Sequence, residues 1–285
     1  MAVRATGELI DAARRAGRGV PAFNVITLEH AEAILAGAER AGAPVILQIS
    51  ENAVRYHDGR VEPLAAACVR LAETAGVAAA LHLDHVTDRG LLERALDAGF
   101  GSAMFDASTL PYEGNVAATA AAVAWGHERG LWMEAELGEV GGKDGVHSAT
   151  ARTDPSGAAG YVAAPGVDGL AVAIGTSHAM TDKTAALDLD LLARLRAAVP
   201  VPLVLHGSSG VPDELLRRAV LSGLTKINIG TALNVAFTGA VRAYLAAEPA
   251  KVDPRRYLSR GRDALTETVA HLTTLLSTPG AAPFG

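Results

Sequence analysis

The chain has 285 residues, of which 49% are hydrophobic and 20% are charged. This composition supports a sizeable buried core and argues against disorder across the chain. The net charge of −6, without any block of Lys or Arg, argues against nucleic acid or an anionic membrane as the partner. The length is ordinary for one α/β barrel, whose usual size is about 250 residues, so we expect a single domain over residues 1–285.

The compartment is indicated by what the sequence lacks. Cys68 is the only cysteine, which excludes an internal disulfide and fits a reducing environment. The first residues carry charges and no long apolar stretch, so they do not resemble a secretory signal. No stretch reaches the roughly 18 apolar residues needed to span a bilayer. We therefore expect a soluble cytoplasmic protein.

The predicted strands are short apolar runs separated by helical patterns. In chain order they cover residues 20–25, 44–50, 76–85, 102–108, 131–136, 169–175, 202–206 and 226–229.

The predicted helices show apolar residues at helical spacing, and several end at a glycine. They cover residues 9–16, 28–41, 62–75, 91–98, 115–129, 158–164, 191–199, 213–221 and 232–246, with an extra helix within 253–277.

Eight strand-then-helix units in succession indicate the fold class. Strands that are almost uniformly apolar are typical of parallel sheets buried on both faces. Eight such strands predict a (β/α)8 TIM barrel with an extra C-terminal helix, and a doubly wound open sheet is the alternative. The stretch 138–155 is rich in Gly, Ser, Thr and Asp and has no sustained period. We interpret it as a long functional loop.

Polar residues stand at the predicted carboxyl ends of the strands, where TIM barrels place their active sites. Because the strand interiors are apolar, a polar ring at one end costs desolvation unless it binds something. The residues concerned are Asn24, Ser50, Asp84, His85, Asp106, Ser108, Glu136, His178, His206 and Asn228.

Three histidines in this set, His85, His178 and His206, are typical of catalytic zinc, which keeps its fourth position open. A closed structural site would use four ligands close in sequence, usually with cysteines. Asp106 and Glu136 are either further oxygen ligands, carboxylates that orient the histidines, or caps of the following segments. The remaining histidines are interpreted as structural: His30, His57, His82, His127, His147 and His271.

Two glycine-rich turns, 206–210 and 228–231, follow the seventh and eighth predicted strands. Small residues there expose backbone N–H groups, and the helices that follow favour anions at their amino ends. TIM barrels tend to bind phosphate at this position. The two turns therefore predict a phosphate site.

Five segments together resemble a known family. They are Leu-His-Leu-Asp-His at 81–85, Met-Glu-Ala-Glu-Leu-Gly at 133–138, Ala-Ile-Gly-Thr-Ser-His at 173–178, Leu-Val-Leu-His-Gly at 203–207 and Lys-Ile-Asn at 226–228. As a set they resemble the metal-dependent class II ketose-bisphosphate aldolases, the group of fructose- and tagatose-bisphosphate aldolases, from about residue 8 to residue 276. The resemblance implies reversible cleavage of a ketose 1,6-bisphosphate to dihydroxyacetone phosphate and an aldehyde through a zinc-stabilised enediolate.

The resemblance also implies roles for individual residues. Zinc would be held by His85, His178 and His206, with Asp106 and Glu136 near an alternative metal position. Asp84 would give and take the proton at the nascent hydroxyl, and Ser50 would face the aldehyde half. The dihydroxyacetone phosphate half, with a monovalent cation (Na+ or K+) near the carbonyls, would be surrounded by Ala179, Gly207, Ser208, Ser209, Asn228, Ile229, Gly230 and Thr231.

A second subunit is implied as well. Arg255 matches the arginine that reaches the distal phosphate in a neighbouring subunit, so the resemblance implies a homodimer or homotetramer. Four positions depart from the family pattern: Asp144, Ala179, Thr27 and Thr109. Asp144 stands where the family has a loop glutamate, and we hypothesise that it exchanges the carbon-bound proton with a shorter reach. Ala179 replaces a glycine, which leaves the sugar preference open.

Other functions predict different residues. A Schiff-base aldolase needs a lysine at a strand end, whereas Lys226 is predicted to begin the eighth strand. A barrel metal hydrolase predicts a carboxylate at the end of that strand, where Asn228 stands. A non-catalytic aldolase-like subunit would be favoured by lost ligands, but the three candidate histidines and Asp84 are all present.

Overall fold

A computed structural model describes residues 3–137, 152–177 and 180–278. Eight parallel strands form a closed barrel in sequence order, and β1 pairs with both β2 and β8. The closure confirms the predicted TIM barrel and excludes a doubly wound open sheet. The strands are β1 Val20–Asn24, β2 Val45–Ser50, β3 Ala79–Val86, β4 Ser102–Phe105, β5 Trp132–Glu136, β6 Gly169–Ala171, β7 Leu203–Leu205 and β8 Leu224–Ile229.

Helices surround the barrel and extend it at the carboxyl terminus. Within the described part of the chain, none of them has the length and apolar character required to cross a bilayer. They are α1 Thr6–Arg15, α2 Leu28–Ala41, α3 Glu51–Tyr56, α4 Glu62–Thr74, α5 Arg89–Asp97, α6 Tyr112–His127, α7 Pro155–Ala163, α8 Leu189–Ala198, α9 Asp213–Leu221, α10 Thr231–Ala247 and α11 Pro254–Ser277.

The alternation of side chains along each strand separates two apolar cores. In β2, Val45 and Leu47 belong to the large core between the sheet and its helices, whereas Ile46 belongs to a smaller core. Leu9 and Ile10 of α1 join that smaller core. Helix α1 therefore packs against the inward-facing residues near the amino-terminal ends of the strands, which leaves the carboxyl ends for the site.

The extra C-terminal helix is confirmed as α11, which packs closely on α2. A Cβ atom at Gly37 of α2 would lie 2.7 Å from Val269 of α11, so only glycine permits this approach. Seven residues of α11 are buried: Gly261, Leu265, Thr266, Val269, Leu272, Thr273 and Leu276.

Several predicted boundaries were wrong. β4 ends at Phe105, so Asp106 and Ser108 lie in the loop that follows it, and β6 ends at Ala171 rather than at residue 175. β8 begins at Leu224, which puts Lys226 inside the strand and not at its start. Helix α3 was missed because six residues are too few to establish a helical period.

Candidate metal centre and active site

Two adjacent residues of β3, Asp84 and His85, lie at the carboxyl end of the barrel. In a regular strand they would point to opposite faces. His85 instead has φ of 51°, a left-handed conformation that is uncommon outside glycine, and the pairing of β3 with β4 shifts register between Leu83 and Val86. His85 Nε2 lies 3.9 Å from Asp84 Oδ2. The backbone irregularity thus accompanies the convergence of both side chains, as is common at functional sites.

His206 brings a second imidazole to the same place from the end of β7. Its ring and that of His85 lie 4.8 Å apart between centroids and cross at 79°. Candidate ligand atoms of Asp84, His85 and His206 all lie within 4.8 Å of one another. A second group with the same property comprises His85, Asp106 and Glu136. Imidazole nitrogens with carboxylate oxygens are ligands that zinc accepts, so the cluster could hold a metal ion.

Asp106 orients the ring of His85. Its Oδ2 atom lies 2.7 Å from His85 Nδ1, while its Oδ1 atom accepts hydrogen bonds from the Ser108 hydroxyl at 2.6 Å and backbone N–H at 3.2 Å. Because Asp106 engages Nδ1, the Nε2 atom of His85 is the one on the side of Asp84. Among the alternatives left by the sequence, this geometry favours an orienting carboxylate in the Asp84, His85 and His206 arrangement.

Asp84 is almost fully buried and is held on one side only. Gln48 Nε2 donates to Asp84 Oδ2 at 3.1 Å and also to Asn24 Oδ1 at 2.9 Å. Within the described residues, Asp84 Oδ1 has no hydrogen-bond partner. Ser50 is the β2 residue paired with Asp84, and its hydroxyl caps α3 by accepting from the Ala53 N–H at 3.2 Å. One carboxylate oxygen of Asp84 is therefore held by a hydrogen bond, and the other has none among the described residues.

The carboxylates also change the acidity of His85. Burial lowers the pKa of His85, but the charges of Asp84 and Glu136 and the hydrogen bond to Asp106 outweigh burial and raise that pKa to about 9. In the metal-free protein this imidazole is consequently protonated at neutral pH. A positive charge at this point offsets the surrounding negative charge.

The two glycine-rich turns meet at the amino end of α10. Ser208 donates its hydroxyl hydrogen to the Asn228 carbonyl at 2.6 Å, and the Ala232 N–H donates to the Ser209 hydroxyl at 3.0 Å. Gly207 has φ of 67°, which explains a glycine between β7 and the short 3-10 turn that follows. The turns are thus joined beside a helix amino terminus, a position that favours anions.

Some predicted site residues are not part of this description. His178, Ala179 and Asp144 lie outside the described residues. Thr176, close before His178, donates its hydroxyl hydrogen to the His206 carbonyl at 2.6 Å, so this segment is fastened beside His206. Arg255 is exposed in the first turn of α11, where its Nη2 atom lies 2.7 Å from Asp253 Oδ2 of the same chain.

Two charged residues beneath the cluster were not singled out from the sequence as functional residues. Glu134 and Lys226 are completely buried, and Lys226 Nζ lies 2.9 Å from Glu134 Oε2. Glu134 Oε1 lies 2.9 Å from His206 Nε2. A signal was available, because Glu134 and Lys226 stand two positions before Glu136 and Asn228, and residues two apart on a strand share a face.

Comparisons with known proteins agree with this description. The family profile described as class II fructose-bisphosphate aldolase matches residues 4–281. The crystal structure of the YdjI aldolase from Escherichia coli K12 matches with a TM-score of 0.82 and 30% identity, covering 99% of this chain and 100% of that chain. A structure of a putative fructose-1,6-bisphosphate aldolase from Coccidioides immitis matches with a TM-score of 0.83 and 28% identity over 95% of this chain and 96% of its own.

A third structure, fructose-bisphosphate aldolase from Campylobacter jejuni, shares the fold with a TM-score of 0.79 at 24% identity, covering 96% of this chain and 95% of its own. The fold and the cluster together define a TIM-barrel protein with a candidate metal centre at the carboxyl ends of its strands. The chain belongs to the class II fructose-bisphosphate aldolase family, which confirms the resemblance found in the sequence.

Proposed function

We propose that this protein is a zinc-dependent lyase. It reversibly cleaves a ketose 1,6-bisphosphate of the fructose or tagatose type, or a related phosphorylated keto sugar, to dihydroxyacetone phosphate and an aldehyde. The observation that carries the proposal is the convergence of Asp84, His85 and His206, whose candidate ligand atoms lie within 4.8 Å of one another at the carboxyl end of the barrel. Membership of the aldolase family supports the reaction type.

His85 and His206 would hold the zinc ion, with His178 as the third ligand. Asp106 and Glu136 would serve an alternative metal position, a proposal supported by the grouping of both with His85. Zinc bound at this cluster would supply a Lewis acid for the negative charge that develops on the ketose fragment. The imidazoles must be neutral to bind it, so metal binding displaces protons.

Asp84 is the residue that moves the proton at the sugar hydroxyl. During cleavage its carboxylate takes the hydroxyl proton next to the breaking carbon–carbon bond, and during condensation it returns that proton. Gln48 supports this role because it holds Oδ2 and leaves Oδ1 available. Ser50, the β2 residue paired with Asp84, contacts the aldehyde half.

The joined glycine-rich turns bind the phosphate of the dihydroxyacetone phosphate half. Backbone N–H groups and the amino end of α10 supply the attraction for the phosphate. Backbone carbonyls of the same turns would hold a monovalent cation (Na+ or K+). Arg255 of a second copy contacts the distal phosphate, so the active form is a homodimer or homotetramer. The residues proposed for the phosphate half are Ala179, Gly207, Ser208, Ser209, Asn228, Ile229, Gly230 and Thr231.

Asp144 exchanges the carbon-bound proton of the ketose fragment. Its carboxylate chemistry and its position two residues after Gly142 support this role. In an Asp144→Ala variant, proton exchange between dihydroxyacetone phosphate and water should be lost while metal binding is kept. Unchanged exchange would remove Asp144 from the mechanism.

The substrate is tested by a panel of fructose, tagatose and deoxy keto-sugar phosphates assayed for release of dihydroxyacetone phosphate. We expect cleavage of at least one of them by the zinc-loaded protein. Absence of cleavage with every member, under conditions in which zinc is bound, would favour a non-catalytic subunit. A zinc hydrolase is not favoured, because the carboxylate that it predicts at the end of β8 is replaced by Asn228.

The affinity for zinc is expected to rise with pH well above the range of an ordinary histidine. His85 has its pKa raised to about 9 in the metal-free protein, so its proton must leave before the ring can bind metal. At pH values below that pKa, zinc must displace this one proton from His85. The apparent affinity for zinc therefore rises about tenfold for each pH unit. Competition with a chelating dye between pH 6.5 and 9 measures the slope. An affinity that is constant above pH 7 would contradict the raised pKa.

A further inference from the structure

We infer that Glu134, with its charge balanced by Lys226, is a positioning residue that sets which nitrogen of His206 faces the metal centre. The inference rests on the proposed function, in which His206 is a zinc ligand. It concerns the layer of barrel residues below the site, which no part of the proposed chemistry uses.

The contact between Glu134 and His206 determines which ring nitrogen of His206 carries the hydrogen. Glu134 Oε1 lies 2.9 Å from His206 Nε2, and neither side chain has any exposed surface. An ionised carboxylate can only accept a hydrogen bond, so Nε2 carries the hydrogen. The lone pair then resides on Nδ1, which lies 3.8 Å from Glu136 Oε2 on the side of the candidate metal group.

Lys226 explains how a carboxylate is accommodated inside the barrel. An isolated buried charge is costly, and Lys226 Nζ lies 2.9 Å from Glu134 Oε2. Lys226 also donates a hydrogen bond to Asn228 Oδ1 at 2.8 Å, so its ammonium group is held by Glu134 of β5 and Asn228 of β8. The ion pair therefore holds the carboxylate of Glu134 in one position under His206.

Stability alone does not account for this ion pair. Replacing a buried ion pair by apolar residues of similar volume is often neutral or stabilising, because the desolvation cost is large. TIM-barrel interiors are usually filled by branched apolar side chains. The contact of Glu134 with the ring of His206, a candidate metal ligand, explains the buried ion pair better.

The two described histidines of the cluster receive equivalent support at opposite nitrogens. Asp106 engages His85 at Nδ1, whereas Glu134 engages His206 at Nε2. Carboxylates that bind the far nitrogen of a ligating histidine fix its tautomer and direction, and losing one typically costs 10- to 100-fold in metal affinity. The geometry therefore assigns Nε2 of His85 and Nδ1 of His206 to the metal.

The test uses a double variant, Glu134→Leu with Lys226→Met, which removes the acceptor of the His206 hydrogen bond together with both charges, so that neither charge is left alone in the interior. Zinc affinity and the visible spectrum of the cobalt-substituted protein are the readouts. We expect the variant to bind zinc about 10- to 100-fold more weakly and to give an altered cobalt spectrum. Thr273→Val is the matched control, because Thr273 is a fully buried polar residue of α11, on the outer side of the barrel. The zinc affinity of this control should stay within about twofold of the wild type.

His206→Ala separates the two proposals. If it binds zinc as tightly as the wild type, the proposed metal site itself is wrong. If it loses zinc while the double variant keeps wild-type affinity and spectrum, only the role of Glu134 is overturned. Nitrogen-15 NMR of histidine in the metal-free wild type needs no variant. It should show the His206 hydrogen on Nε2, and a hydrogen on Nδ1 would overturn the inference.

Discussion

Replacing Asp84 with Asn is expected to lower kcat for aldol cleavage by about 100- to 10,000-fold while zinc remains bound. Asparagine has nearly the same shape and can still accept the hydrogen bond from Gln48 that Asp84 Oδ2 accepts. It cannot take up the hydroxyl proton, so the loss should fall on the chemical step. Steady-state cleavage of the best substrate, together with zinc content of the same sample, measures both parts.

Asp88→Asn is the matched control for that variant. Asp88 lies four residues further along the chain, where its side chain caps α5 by accepting the Gly90 N–H at 2.9 Å. Its replacement should change kcat by less than about twofold, because surface changes away from a site have small effects. If Asp84→Asn retained most of the wild-type kcat, Asp84 would not be the proton acceptor.

Removing the metal is expected to abolish cleavage completely. Chelation should reduce activity to the background rate, and stoichiometric zinc should restore it. The reason is that zinc acts as the Lewis acid that stabilises the negative charge on the ketose fragment. Borohydride in the presence of dihydroxyacetone phosphate should leave the enzyme active, since no Schiff base forms. Activity that survives verified metal removal would contradict the account.

The borohydride result depends on Lys226, the one lysine inside the described part of the barrel. It lies mid-strand and fully buried, with Nζ held by Glu134 and Asn228. A nucleophilic lysine must present a neutral amine to the substrate. The ammonium group of Lys226, fixed in an ion pair with Glu134, cannot present a neutral amine. Covalent trapping of the substrate at Lys226 would therefore contradict this role of the ion pair.

The barrel was predictable because its signal is repeated along the chain. Eight apolar runs separated by helical patterns predict a parallel sheet, and the polar residues at their carboxyl ends predict where the site lies. His85, His206 and Asp106 do come together there, although they are separated by up to 121 residues. The rule that the carboxyl ends of all eight strands meet at one end of a TIM barrel is sufficient to place them together.

The finer geometry was less accessible from the sequence. The left-handed conformation of His85 depends on the register shift beside β4, and local pattern does not encode it. Helix α3 is too short to show a period. The rule that barrel sites lie at strand ends does not single out Glu134 and Lys226, which lie inside their strands, although both share a strand face with predicted site residues.

The most direct measurement is anomalous scattering at the zinc edge from crystals of the zinc-loaded protein. We expect one ion about 2.0–2.1 Å from His85 Nε2 and from His206 Nδ1. We also expect Asp106 and Glu134 to contact the opposite nitrogens of these rings. An ion bound away from both rings, or rings whose nitrogens share no common centre, would contradict the proposed zinc site.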